Sequence, residues 1–170
     1  MKEMTIDLHN YPEDAEPFLR VAVRGIVRRG DKYLMIYSSK YGDCKFPGGG
    51  QDPGETNEET LIREVREEAG YDVLPETVQE YLLVHERRLG MKGDPLFMDS
   101  YYYFCEVGEA QHPQNLQDYE IDEEYRVLWL TLSEAVAINK TVTQYELTPW
   151  VERATAVKQR LLEEQGQEDA

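Results

Sequence analysis

Only two of the 170 residues are cysteine, Cys44 and Cys105, and neither has a CxxC-type neighbour. Neither a disulfide framework nor a zinc site is indicated, and both thiols are expected to be reduced and in or near the core. No stretch approaches the roughly 18 apolar residues of a membrane-spanning helix, and the N-terminal MKEMTIDLHNYPEDAEPF lacks the apolar core of a signal peptide. A cytoplasmic protein is the expectation. Cations are scarce as well: 18 Lys and Arg stand against 34 Asp and Glu, a formal net charge of −16. So negative a field disfavours non-specific nucleic-acid binding and docking on an anionic membrane, both of which run on Lys and Arg. Internal repeats and low-complexity tracts are also missing.

What remains is enough to fold. Hydrophobic residues make up 41% of the chain and aromatics 11%, and 170 residues can bury a core of one domain with extensions. Residues 1–17 mix Pro, Asp, Glu and Asn and read as an arm with a short strand at Thr5–Leu8. The runs Phe18–Val27 and Tyr33–Tyr37 flank a Gly30-Asp31 turn, a hairpin pattern. Gly48 to Gly54 is so rich in Gly and Pro that it reads as loop. Val78–Arg88, Met98–Val107 and Val127–Leu130 read as strands and Leu132–Ile138 as a short helix. Thr148-Pro149 opens a last helix with an apolar stripe of Val151, Ala154, Val157, Leu161 and Leu162, and Gln165–Ala170 is expected to fray. Mixed strands around two or three helices predict an α/β sandwich.

The clearest helix spans residues 56–69. Thr56 and Glu59 form a capping box at its start and Gly70 supplies a left-handed stop. Ile62, Val65 and Ala69 share its inward face with Leu61 at the edge, while Glu64, Glu67 and Glu68, spaced i, i+3, i+4, converge on the neighbouring arc. Three carboxylates on one face repel one another unless neutralised. Arg63 can pair with Glu59 and Glu67 at i±4, giving a solvated, ion-paired helix; alternatively, a hard divalent cation takes the oxygens. The Gly-rich segment before the helix favours the second reading, because glycines let a bulky anion approach the backbone.

From Gly49 to Tyr71 the chain reads GGQDPGETNEETLIREVREEAGY, which resembles the Nudix box. Gly49, Glu55, Arg63, Glu64, Val65, Glu67, Glu68 and Gly70 fit, and Tyr71, where an aliphatic residue is usual, is the one departure. Lys45-Phe46-Pro47-Gly48-Gly49 and Trp129-Leu130 with Ser133-Glu134-Ala135 are also similar to the family. The resemblance implies an α/β/α sandwich with a mixed sheet between helices, covering 18–138, an arm at 1–17 and a C-terminal helix at 139–170 packed on the same domain.

It further implies hydrolysis of a diphosphate bond in a nucleoside diphosphate-linked small molecule or nucleoside triphosphate, with Mg²⁺ or Mn²⁺. Glu64, Glu67 and Glu68 would be metal ligands with the Gly48 carbonyl. Arg63 would hold Glu64 by a bidentate pair, and Glu55 would stand behind them or take a further ion through water. The general base is Glu64, or a glutamate of the acidic run 118–124, read as a loop before the Trp129 strand, where Glu123 and Glu124 are the candidates. Arg24 and Lys45, with Gly49 and Gly50, are the expected substrate contacts; Lys40, Arg87 and Arg88 are further cations within reach of phosphates. Tyr101-Tyr102-Tyr103-Phe104 alternates faces along a strand, so its rings either stack on a base or pack in the core. His85 and His112 are lone histidines, read as structural. A non-catalytic nucleotide or metabolite sensor on the same fold is the competing reading. The C-terminal stripe fits either intramolecular packing or a homodimer contact.

Overall fold

The computed structural model describes residues 1–144 and 147–168. Among these described residues eleven strands and four α-helices follow one another: β1 (Lys2–Asp7), β2 (Phe18–Ile26), β3 (Arg28–Arg29), β4 (Lys32–Ser38), β5 (Cys44–Lys45), β6 (Gly48–Gly50), α1 (Asn57–Ala69), β7 (Tyr71–Val73), β8 (Gln79–Leu89), β9 (Pro95–Phe104), β10 (Val107–Gln111), α2 (Asp118–Asp122), β11 (Tyr125–Leu130), α3 (Leu132–Lys140) and α4 (Val151–Glu168). The fold is mixed α/β. Its largest sheet is itself mixed, in the order β1-β8-β9-β2-β6, with β1 parallel to β8 and β9 parallel to β2.

Period-two alternation sorts the core into two layers. Along β4, Tyr33 and Met35 join a cluster with Phe46, Leu132, Ala135, Val157 and Leu161 beneath α3 and α4. The intervening Leu34 and Ile36 join Val23, Leu61, Val65, Ala69 and Tyr71 beneath α1. The C-terminal stripe is accordingly covered within the chain: Val151, Ala154, Val157 and Leu161 are all buried. Among them lies Lys158, wholly buried, whose Nζ donates to the carbonyls of Cys44 (2.7 Å) and Ala154 (2.6 Å). Burial pushes its pKa down to about 8, and its bond to Cys44 ties α4 to the strand that leads into Gly48. Both cysteines are free and buried. Among the described residues, no helix is long and apolar enough to cross a membrane.

Several local expectations change. The Gly30-Asp31 turn is present, but the hairpin it closes is only two pairs deep, Arg28 with Tyr33 and Arg29 with Lys32. The rest of β2 turns into the other sheet and pairs with β9 and β6. Gly48–Gly50, expected as loop, is strand β6. Gly48 has φ +149°, and a Cβ there would meet the Val23 carbonyl oxygen at 2.1 Å, so the backbone needs glycine. Asp118–Asp122, expected as loop, is a helical turn. The last helix begins at Val151, two residues beyond Pro149, and runs to Glu168 through much of the segment expected to fray; 169–170 lie outside the described residues. Tyr71 packs under α1, its ring edge-on to Trp129 at 5.7 Å with the Arg29 guanidinium over it at 5.2 Å.

The short strand expected at Thr5–Leu8 of the arm is β1, which starts earlier, at Lys2, and pairs over six residues with Leu82–Arg87 of β8. His85 links it sideways: Nδ1 lies 2.7 Å from Asp99 Oδ1 and Nε2 3.4 Å from Glu3 Oε1. The Asp99 hydrogen bond, helped by Glu3 and opposed by partial burial, raises the histidine pKa above its ordinary value. A raised folded-state pKa gives stability that is fully present below the unfolded value of about 6.5 and is lost as pH rises through the folded value. The melting-temperature gap between wild type and His85→Gln is thus expected to be larger at pH 5.5 than at pH 8.5; a gap independent of pH would remove this role.

Candidate active site

Helix α1 is fixed at both ends before it offers any chemistry. Thr56 accepts from the Glu59 N–H (3.2 Å) while Glu59 accepts from the Thr56 N–H (3.0 Å), which closes the capping box. Gly70, at φ +77°, ends the helix where a Cβ would strike the His112 carbonyl oxygen at 1.9 Å. Glu59 is therefore occupied at the cap and is not a partner for Arg63.

Arg63 instead gathers the site. It donates from Nε and Nη2 to the two oxygens of Glu55 (2.7 and 2.8 Å), from Nη1 to Glu64 (2.8 Å) and Glu67 (3.3 Å), and from Nη2 to the Gly50 carbonyl (3.0 Å). The bidentate partner is thus Glu55 and not Glu64, because Glu55 at the loop's end faces the guanidinium fork while Glu64, one residue along the helix, reaches a single N–H. The paired guanidinium, with the Asp52 N–H, holds the Glu55 carboxyl down to about 2.

Glu64 and Glu68 are buried, Glu68 almost completely. Glu68 accepts one hydrogen bond, from the Gly48 N–H at 3.3 Å. Burial raises the pKa of both, with Arg63 opposing at Glu64 and Lys45 and Arg24 opposing at Glu68. Glu120 of α2 adds to the effect on both. This glutamate is itself buried, and its Oε1 accepts from the Gln117 N–H (2.8 Å) at the start of α2. Of the acidic run, then, Glu120 joins the box carboxylates. Glu123 lines the adjoining cleft, and Glu124 is exposed at φ +52° outside it. The signal for Glu120 was its spacing of three from Gln117, with an unusual residue at the cap.

Of these carboxylates, Glu68 and Glu123 line a cleft of about 440 Å³. Arg24, Lys45 and Gly49 line it, as do Gly48 and Glu68. Gly50 does not; its carbonyl is turned to Arg63, and a Cβ on it would press on Arg20 Nη2 at 3.2 Å. Gly49 lies against Glu64, where a Cβ would come within 2.6 Å of Oε2. The Gly48 carbonyl, an expected metal ligand, stands 3.5 Å from Arg24 Nη1. Lys45 donates to the Tyr125 hydroxyl at 2.5 Å. Lys40 pairs with Asp122, and Arg87 lies over Phe97, both outside the cleft, whereas Arg88 lines it. Tyr102 is core, and Tyr103 accepts a hydrogen bond from Asn57 (3.0 Å). His112 faces Asp72 at 3.1 Å, outside the cleft.

Among the described residues no three His, Cys, Asp or Glu side chains are grouped as a ready metal cage. Glu64 and Glu67 are turned to Arg63, and Glu68 to the Gly48 N–H. The donor set is nevertheless all hard oxygen, with Glu64 and Glu68 buried and repelling each other, which suits a divalent cation better than water.

The chain's likenesses to known proteins concern its family and its fold. It is 35% identical over 71 residues to the CTP pyrophosphohydrolase of Escherichia coli (strain K12), covering 39% of this chain and 50% of that one, so the match spans about half the length of that relative. A NUDIX hydrolase from Nitrosomonas europaea superposes with a TM-score of 0.54 at 21% identity, over 84% of this chain and 90% of that one. A MutT NUDIX hydrolase from Burkholderia pseudomallei gives 0.53 at 19% identity, over 68% and 85%; at such identities the likeness is one of fold. The NUDIX domain profile matches residues 18–151, from the first residue of β2 to the first of α4. By this match and the box carried on α1, the chain belongs to the NUDIX domain family of hydrolases.

Proposed function

We propose that the protein hydrolyses a diphosphate bond in a small nucleotide, with Mg²⁺ or Mn²⁺. The observation that carries this reading is the buried carboxylate set Glu64, Glu68 and Glu120, of which Glu68 lines a cleft that Arg24 and Lys45 also line. The E. coli relative is named as a CTP pyrophosphohydrolase, which fits a nucleotide substrate.

Glu64, Glu67 and Glu68 would hold the cation with the Gly48 carbonyl, and Glu55 behind Arg63 keeps their geometry. The ion supplies charge neutralisation at the phosphate oxygens. Arg63 keeps Glu64 and Glu67 on one side of the helix. Arg24 and Lys45 attract the phosphates, and Gly49, without a side chain, lets them approach Glu64. Water attacks phosphorus: its oxygen bonds to one phosphorus as the bridging P–O bond breaks, and the bridging oxygen leaves with the other fragment. Glu64, with Glu120 beside it, would take the proton, and Glu123 is the further candidate in the cleft.

Purified protein is expected to release phosphate, after coupling to a phosphatase, from at least one member of a panel of nucleoside triphosphates, dinucleotides, nucleotide sugars and capped RNA. Release should need Mg²⁺ or Mn²⁺ and stop in EDTA. A panel silent with both metals, alongside tight metabolite binding by calorimetry, would favour a sensor instead.

A further inference from the structure

The cleft inverts the charge of the protein. In a chain of net charge −16, its walls carry six cations, Arg20, Arg24, Lys45, Arg88, Lys92 and Arg153, against three carboxylates, Glu68, Asp94 and Glu123. Three of these cations, Arg24, Arg88 and Arg153, are also buried, each no more than 5% exposed. Arg88 and Arg153 share one carboxylate, donating from Nε to the two oxygens of Glu86 at 2.5 Å each, and Arg153 Nη1 donates to the Tyr102 hydroxyl at 2.9 Å. Two buried positive charges thus stand against one negative.

Arg24 is less satisfied still. Its Nε is buried with no acceptor, and Nη1 has only the long contact to Gly48. Arg153 is near enough for the two charges to act on each other. Buried guanidinium groups are ordinarily paired, and an orphaned donor is costly; a missing acceptor at the inner end of a cleft is what a bound anion provides.

The outer end is of another kind. Phe18, Met91 and Tyr119 rim it and are 64, 60 and 49% exposed, giving flat apolar surface of the sort a nucleobase covers. The volume of about 440 Å³ lies in the lower part of the range of ligand pockets, about 300–1,000 Å³, which suits one nucleotide better than two.

We propose that Arg24, with Arg88 and Arg153, forms an anion subsite for the terminal phosphate, so that the substrate is a nucleoside triphosphate and not a dinucleotide or nucleotide sugar. Resting on the hydrolase reading above, this orients the substrate with its base at the Phe18–Met91–Tyr119 rim and its phosphate end inward. α4, which begins where the family match ends, then contributes to specificity through Arg153. With cleavage between the α and β phosphorus atoms, the water oxygen joins the α-phosphorus and pyrophosphate leaves carrying one of the water's protons, the other being released to solvent.

Three measurements test this. Wild type is expected to show kcat/KM for nucleoside triphosphates above that for nucleotide sugars and dinucleotides by about 10- to 100-fold, the worth of a charge-assisted hydrogen bond. Arg24→Gln and Arg88→Gln should shrink that ratio about tenfold or more, mainly through KM. In EDTA, where the box holds no cation, inorganic triphosphate should raise the melting temperature of wild type but not of Arg24→Gln; the wild-type arm stands even if the variant folds poorly. Equal or better turnover of dinucleotides or sugars, variants that lower kcat for every substrate alike, or no stabilisation of wild type by inorganic triphosphate would overturn the subsite and leave the hydrolase reading intact. A panel silent with metal would overturn the hydrolase reading and the substrate class together.

Discussion

Glu64→Gln and Glu68→Gln are each expected to lower kcat by about a hundredfold or more, the usual loss when one preorganised charge is removed from a reaction centre, without unfolding the protein. The two should differ in stability. Glu64 is buried beside Glu120 and Glu67, whose charges oppose its own. Its partner Arg63 keeps both oxygens of Glu55 and the Gly50 carbonyl when Glu64 is neutralised. Relief of burial and repulsion should leave the melting temperature of Glu64→Gln unchanged or higher. Glu68 is also the carboxylate that faces Lys45 and Arg24. Removing its charge relieves one burial cost and exposes another, so Glu68→Gln should melt within about 3 °C of wild type, less than roughly 1 kcal/mol in a protein of this size. Steady-state kinetics with Mg²⁺ and thermal denaturation check both. Undiminished turnover in either variant would remove that residue from the site.

The second large effect is structural. Glu86→Ala leaves Arg88 and Arg153 buried without the carboxylate they share, and breaking a buried pair by removing one partner costs about 3–5 kcal/mol. Urea denaturation should show this as a lower midpoint with little change in slope. The pH dependence follows from the same network. Burial alone would raise the Glu86 carboxyl, but Arg153 and Arg88 hold it below its ordinary value. A depressed folded-state pKa gives stability that is present above the unfolded value, about 4.3, and is lost as pH falls through the folded value. The difference between wild type and Glu86→Ala is thus expected to narrow below about pH 4. A difference of less than about 1 kcal/mol at pH 7 would mean that solvent screens the three groups.

The box and its helix are legible in the sequence because their signals are local. The capping box, the i, i+3, i+4 spacing of Glu64, Glu67 and Glu68, and Gly70 at the stop all lie within one helix length, where 3.6-residue periodicity fixes which groups converge. The last helix's stripe was equally readable, though not what it covers, since periodicity gives a face and not its partner. Lys158 in that face shows the limit: a lysine amid an apolar stripe reads as a break, yet it is buried because the Cys44 carbonyl, 114 residues away, accepts from it.

Composition and spacing by themselves determined the family, the acidic face on α1 and a net charge that disfavours non-specific nucleic-acid binding. They could not show that the charge is unevenly placed. Arg24 on β2, Arg88 on β8 and Arg153 on α4 are far apart along the chain, and only the parallel pairing of β2 with β9 and the packing of α4 bring them to one cleft. Glu120 likewise reached the box through the fold of α2, while Glu124, four residues on, did not. Pairings between distant segments depend on which strand lies beside which, and a strand's own residues carry that information weakly. The acidic site was therefore written in one helix, whereas the cationic wall opposite it exists only in the folded protein.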